Sequence, residues 1–188
     1  MEIIFTHSRD RWDQTIATRQ DGVRVRVPVY GPLDPIPHDL AHYVIECELG
    51  LRDGFWVRVA AGALFGGMSV LDGRQRPHAR DRSRAVIAAN SSGIGFAEVM
   101  VGTVLRAING EALGPDPPPL ASPLVPSRTR ADRAALVARL RPAVEAMCAR
   151  WRAVPLGDTL RVVWPEPREC RRPRRLGSRP RHRQPARA

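Results

Sequence analysis

Residues 21–27 read Asp-Gly-Val-Arg-Val-Arg-Val. Strand side chains alternate between faces with a period of two, so Val23, Val25 and Val27 share one face while Arg24 and Arg26 share the other. Such a segment suits a sheet with one side on a core and one in water, the habit of antiparallel sheets. Asp21-Gly22 tolerates positive φ and places a tight turn just before it. Residues 15–18 precede that turn, and the apolar run at 2–6 precedes them. Residues 2–30 therefore read as a two- or three-stranded antiparallel meander, ended by Gly31-Pro32.

The meander cannot bury its valine face alone, and the rest of the chain supplies helices to cover it. Pro37 suits the opening of a helix running to about Leu49, where Gly50 can close it. Leu40, Val44 and Cys47 lie on one side of that helix, Ile45 and Leu49 on another, so it should be flanked by structure twice over. A second helix is expected over 51–65, with Phe55, Val59 and Ala63 inward and Gly66-Gly67 at its end. Residues 72–80 read as a loop. Helical pattern resumes at Asp81, breaks near 91–93 and continues from Phe96 to Ile108 with a stripe of Val101, Val104, Leu105 and Ile108. A last helix over 129–151 presents Leu136, Leu140, Val144, Met147 and Trp151, with Pro142 expected to kink or split it. Residues 159–164, Thr-Leu-Arg-Val-Val-Trp, form a strand able to return to the meander. The fold class is thus α+β: a small antiparallel sheet packed against four or five helices in one domain over 1–165. A proline-rich linker is expected at 112–128. The tryptophans read as core or interface anchors.

Charge is unevenly distributed. The 188 residues carry +11, but 168–188 hold nine arginines and one acid, leaving the body only +3. Every basic residue is arginine, and no lysine is present. A solvated surface accepts lysine equally well, so GC-rich coding explains this bias more simply than phosphate recognition. The segment 166–188, rich in arginine and proline, cannot join a core and is expected to be disordered. It can attract nucleic acid without specificity, since it lacks aromatic residues to stack on bases. Cys47, Cys148 and Cys170 form neither a paired motif nor a disulfide framework. With no signal-peptide pattern and no run of ~18–20 apolar residues, a cytoplasmic protein with no membrane partner is expected.

One stretch has a chemical look: Pro-His-Asp-Leu-Ala-His-Tyr-Val-Ile-Glu, residues 37–46. His38 and His42 are four apart and therefore neighbours on a helix, the spacing by which paired histidines hold zinc. Glu46 lies eight residues, or about 12 Å, along the axis from His38, so one ion cannot take all three from a straight helix. A divalent-metal site would use His38 and His42, or His42 and Glu46, and recruit a further ligand. His7, Asp10 and Asp13 are the nearest candidates in sequence. Asp39 and Glu46 are the candidate catalytic carboxylates, either of them able to activate water. The plain alternative is a pair of histidines hydrogen-bonded within a core or helix cap. Residues 93–98, Gly-Ile-Gly-Phe-Ala-Glu, lack the third glycine and Lys-Ser/Thr of a phosphate loop and read as a backbone break. No serine or cysteine sits in a recognisable nucleophile setting.

The run from Pro37 to Gly67, with the Asp-Gly-Val-Arg-Val-Arg-Val strand before it, resembles a family of short uncharacterised proteins from GC-rich bacteria. Its most specific portions are Pro-His-Asp-Leu-x-His and Glu-Leu-Gly-Leu-Arg-Asp-Gly-Phe-Trp. The resemblance covers residues 1 to about 165 and implies a folded body with the arginine tail as an extension. It brings no activity, cofactor or catalytic residue. Three functions follow as expectations: binding of a protein partner or small ligand, metal-dependent or acid–base catalysis through His38 and His42, and nonspecific nucleic-acid contact through 168–188.

Overall fold

The computed structural model describes residues 1–8, 14–28, 36–89, 91–111 and 130–165. Strands β1 (Glu2–Thr6), β2 (Gln14–Thr18) and β3 (Arg24–Val27) form the meander, joined by β4 (Ser69–Asp72) and β5 (Thr159–Val163). The sheet order is β4-β3-β2-β1-β5 with every pair antiparallel. Five helices accompany it among the described residues: α1 (His38–Leu49), α2 (Phe55–Ala60), α3 (Ala79–Ala88), α4 (Ser91–Ile108) and α5 (Arg130–Arg152). The α+β architecture is the one expected, and β5 returns to pair with β1.

The register shows how alternation becomes a core. Val162, Ile3, Ala17 and Val25 stand in one row across four strands, and Leu160, Phe5, Thr15 and Val27 in the next. All eight are buried. Fully burying a side chain the size of Phe5 contributes about 1.5–3 kcal/mol. Thr15 is the one polar member, placed between Phe5 and Val27. The opposite face is solvated and carries the Arg24–Asp72 and Arg161–Glu2 ion pairs at 2.7 and 3.2 Å. Helices α1, α4 and α5 pack on one another, and their buried residues join the sheet in one cluster. Trp56 meets Phe5 edge-on at 6.2 Å between ring centroids. Trp56, Trp151 and Trp164 are all buried.

Several elements differ from the sequence reading. The expected helix at 51–65 is only α2, because Gly62 at φ 107° turns the chain out of it. Gly62 N–H bonds to Val59 O and Ala63 N–H to Arg58 O, closing the last turn. The chain then enters β4, unmarked by any alternation in sequence; the open edge of β3 supplies its partner. Helix α3 begins at Ala79, inside the expected loop. Helix α3 ends at Ala88 and α4 begins at Ser91, so the expected interruption falls just before Ser91, and residues 93–98 are helical. Gly93 instead makes room for the Asp53 carboxylate, which a Cβ at that position would overlap. Helix α5 runs through Pro142 undivided. Leu140 and Val144 on either side of the proline are fully buried, and that packing offsets the forfeited backbone bond. The expected linker at 112–128 and tail at 166–188 lie outside the described residues. Among the described residues no single helix is long and apolar enough to cross a membrane.

Candidate metal and acid–base site

Helix α1 is buried nearly all round, as apolar residues on two sides required. Asp39, Leu40, Ala41, His42, Val44, Ile45 and Glu46 are all buried. Pro37 stands at its N-cap, and Gly50 ends it in the left-handed conformation at φ 60°. Three charged or titratable side chains are thereby carried inside, and each must find a partner.

Glu46 finds three. Its Oε1 accepts from Phe55 N–H at 2.8 Å and its Oε2 from Trp56 N–H at 3.1 Å, so it caps the start of α2 from a different helix. Oε1 also lies 3.0 Å from His42 Nδ1. The carboxylate rests against Gly54, where a Cβ would overlap it. Glu46 has no surface on the neighbouring cavity.

His42 is the hinge of the cluster. Its Nδ1 is committed to Glu46, which leaves Nε2 pointing the other way. Nε2 is buried, and the group it faces is the carboxylate of Glu98. It stands 3.4 Å from Glu98 Oε1 on α4, and the other oxygen of Glu98 is 3.6 Å from His38 Nε2. The two imidazoles meet edge-to-face at 4.8 Å. His38, His42 and Glu98 form a group whose ligand atoms lie within 4.8 Å of one another. A tetrahedron with roughly 2.0–2.1 Å metal bonds has edges of roughly 3.4 Å, which the His42 Nε2 to Glu98 Oε1 separation matches.

Burial and charge act against each other here. Burial alone would lower the pKa of His42, but hydrogen bonds and charges from Glu46 and Glu98 outweigh it and raise the value to about 9. His38 is lowered by burial and by the charge of His42, with Glu98 opposing. Glu98, half exposed, is held low by its contact with His42. Asp39 is raised to about 6, chiefly by burial, against the charge of His42 and a hydrogen bond with Thr15. Its Oδ2 has no hydrogen-bond partner among the described residues.

These groups border a cavity of about 420 Å³ between α1, α4 and the end of β3. His38, Asp39, His42 and Glu98 make its polar side, while Phe55, Phe65, Met68 and Ile94 make its apolar side. Phe55 and Phe65 are stacked at 5.1 Å. The volume is that of a small-molecule site, with polar groups converging on one wall.

The structure thus brings His38, Asp39 and His42 to one cavity and sets Glu46 behind it. His7 goes elsewhere: its Nδ1 is 2.8 Å from Val154 O and its ring packs on Trp151 near β5. It does not supply the third ligand position. Asp10 and Asp13 lie outside the described residues. Glu98 was missed by sequence reasoning, although it is the only acid in α4, whose middle is otherwise mostly apolar. That isolation was the available signal. No protein-family model matches the chain, and neither a curated protein nor a solved structure is significantly similar to it.

Proposed function

We propose that the cavity is a divalent-metal site of the zinc class, and that the protein is a metal-dependent hydrolase of a small molecule. The observation that carries this reading is the convergence of His42 Nε2, His38 and Glu98 at one wall of the cavity. Two imidazoles and one carboxylate are a donor set that borderline transition metals accept, and three protein ligands leave a position open for water.

Glu46 is the positioning residue. By engaging Nδ1 it fixes the tautomer that presents Nε2 and increases the basicity of the ring. A zinc-class ion at this point would make bound water acidic enough to ionise near neutral pH. Asp39 on the same wall, with one oxygen unpartnered, is the proton acceptor. Phe55, Phe65, Met68 and Ile94 would pack against an apolar body of the substrate. His38 stands at the N-terminus of α1, whose dipole opposes a cation, and the carboxylate of Glu98 offsets that cost.

Zinc titration by calorimetry on chelator-treated protein tests the reading. One equivalent should bind, with loss of at least a hundredfold in affinity in His42→Ala and in Glu98→Gln. Substoichiometric binding, or binding indifferent to both changes, contradicts it. The second reading is a metal-free pocket for a small ligand, favoured by the stacked aromatic wall. The nucleic-acid reading rests on the composition of 168–188 alone, which is outside the described residues.

A further inference from the structure

A second cavity, of about 380 Å³, lies at the turn end of the β2–β3 hairpin. It is bounded by Arg19, Gln20 and Asp21, by Ala60, Ala61 and Gly62 where α2 ends, and by the segment entering α3. It shares no lining residue with the first cavity. Its walls hold three arginines, Arg19, Arg76 and Arg82, against one acid, Asp21.

Arg19 is the informative residue. It is only 8% exposed. Its Nε donates to Asp21 Oδ1 at 3.3 Å, while its Nη1 is buried without a hydrogen-bond partner among the described residues. Arg58 shows how this fold otherwise treats a buried guanidinium. At 4% exposure it donates to the carbonyls of Asp53, Val86 and Ile87. Coding bias accounts for arginine on a surface, where the choice costs nothing. It does not account for a buried charge left short of acceptors, which is expensive. Asp21 engages this guanidinium at Nε alone, and the same Oδ1 also accepts from Val23 N–H at 3.2 Å. Arg76 and Arg82 are exposed at the rim and have no carboxylate partner among the described residues. Ala79, the first residue of α3, lines the cavity too, so the positive end of that helix contributes in the same sense.

We infer that this cavity binds a small tetrahedral oxyanion, either free phosphate or the terminal phosphoryl group of a small phosphorylated molecule. Arg19 forms part of its wall, and Arg76 and Arg82 close on it from the rim. The arginine fork suits the paired oxygens of a phosphoryl group. The site does not depend on the metal reading of the first cavity.

Calorimetric titration of the full chain with inorganic phosphate tests the inference, with chelator present and ionic strength held constant. Saturable binding of one phosphate is expected, weakened at least tenfold in Arg19→Gln. The double variant Arg76→Gln/Arg82→Gln changes only exposed side chains and should weaken binding to a similar extent, which covers the case in which Arg19→Gln does not fold. Tighter binding of glycerol 1-phosphate than of phosphate would point to a phosphorylated molecule; weaker binding would point to the free anion. Non-saturating binding overturns the inference. So does binding that survives the double variant but falls when Arg171 and Arg172 are replaced, because it then belongs to the tail.

Discussion

Helix α1 buries two carboxylates seven residues apart, and they are in opposite situations. Glu46 is enclosed and fully used, holding two backbone N–H groups of α2 and one imidazole nitrogen. Asp39 is buried beside a cavity with one oxygen unpartnered. The same residue class on the same helix is structural at one end and available for chemistry at the other. The number of donors each carboxylate meets makes the difference. A saturated carboxylate fixes its neighbours, whereas an undersaturated one can still accept a proton.

Glu46→Gln should break this contrast most severely. It leaves a charged His42 with a weakened partner, and removing one member of a buried ion pair costs about 3 kcal/mol. Urea denaturation should show that loss, and zinc affinity should fall by about 10- to 100-fold. A cost no larger than that of a surface substitution would mean that Glu46 is not the anchor described. The proton on His42 gives the next effect. Because it must leave before a metal binds, zinc affinity should climb about tenfold per pH unit from pH 7 and level off near the His42 pKa of about 9. A flat profile over that interval would count against a protonated His42. The same proton stabilises the metal-free fold fully below about pH 6.5, and that contribution disappears as pH rises through about 9.

Gly54→Ala probes the closed end from outside the carboxylate. The new Cβ would displace Glu46 from the N–H groups of Phe55 and Trp56, at a cost of about 2 kcal/mol readable as a lowered denaturation midpoint. Asp39→Asn should have an effect of the opposite sign. Burial raises Asp39 from 3.8 to about 6, so its ionisation disfavours the fold increasingly from pH 4 to 6 and fully above. The variant should therefore gain up to about 3 kcal/mol at pH 7, less what it loses in the bond with Thr15, and lose the pH 4–6 slope of the parent. If it is destabilised at pH 7 as strongly as Glu46→Gln, the two carboxylates are alike and the comparison fails.

Much of the frame was legible in advance. The valine alternation, the Asp21-Gly22 turn and the stripes of α4 and α5 depend on periodicity, a local property that chain geometry converts directly into a buried face. His38 and His42 were legible for the same reason, since four residues make neighbours on any helix. The third member of their cluster was not. Glu98 is 56 residues beyond His42, and only the packing of α4 on α1 brings them together. Strand β4 was hidden likewise, because an edge strand takes its hydrogen bonds from a neighbour that its own sequence does not describe.

The sequence by itself determined the antiparallel sheet, the helical cover and the pairing of two imidazoles on one helix face. These depend on φ/ψ preference and on side-chain period. Only the tertiary structure decided that Glu46 caps another helix, that Asp39 faces a cavity, and that Glu98 completes the group. The satisfaction of a buried charge depends on which donors are folded against it, and no local pattern contains that information.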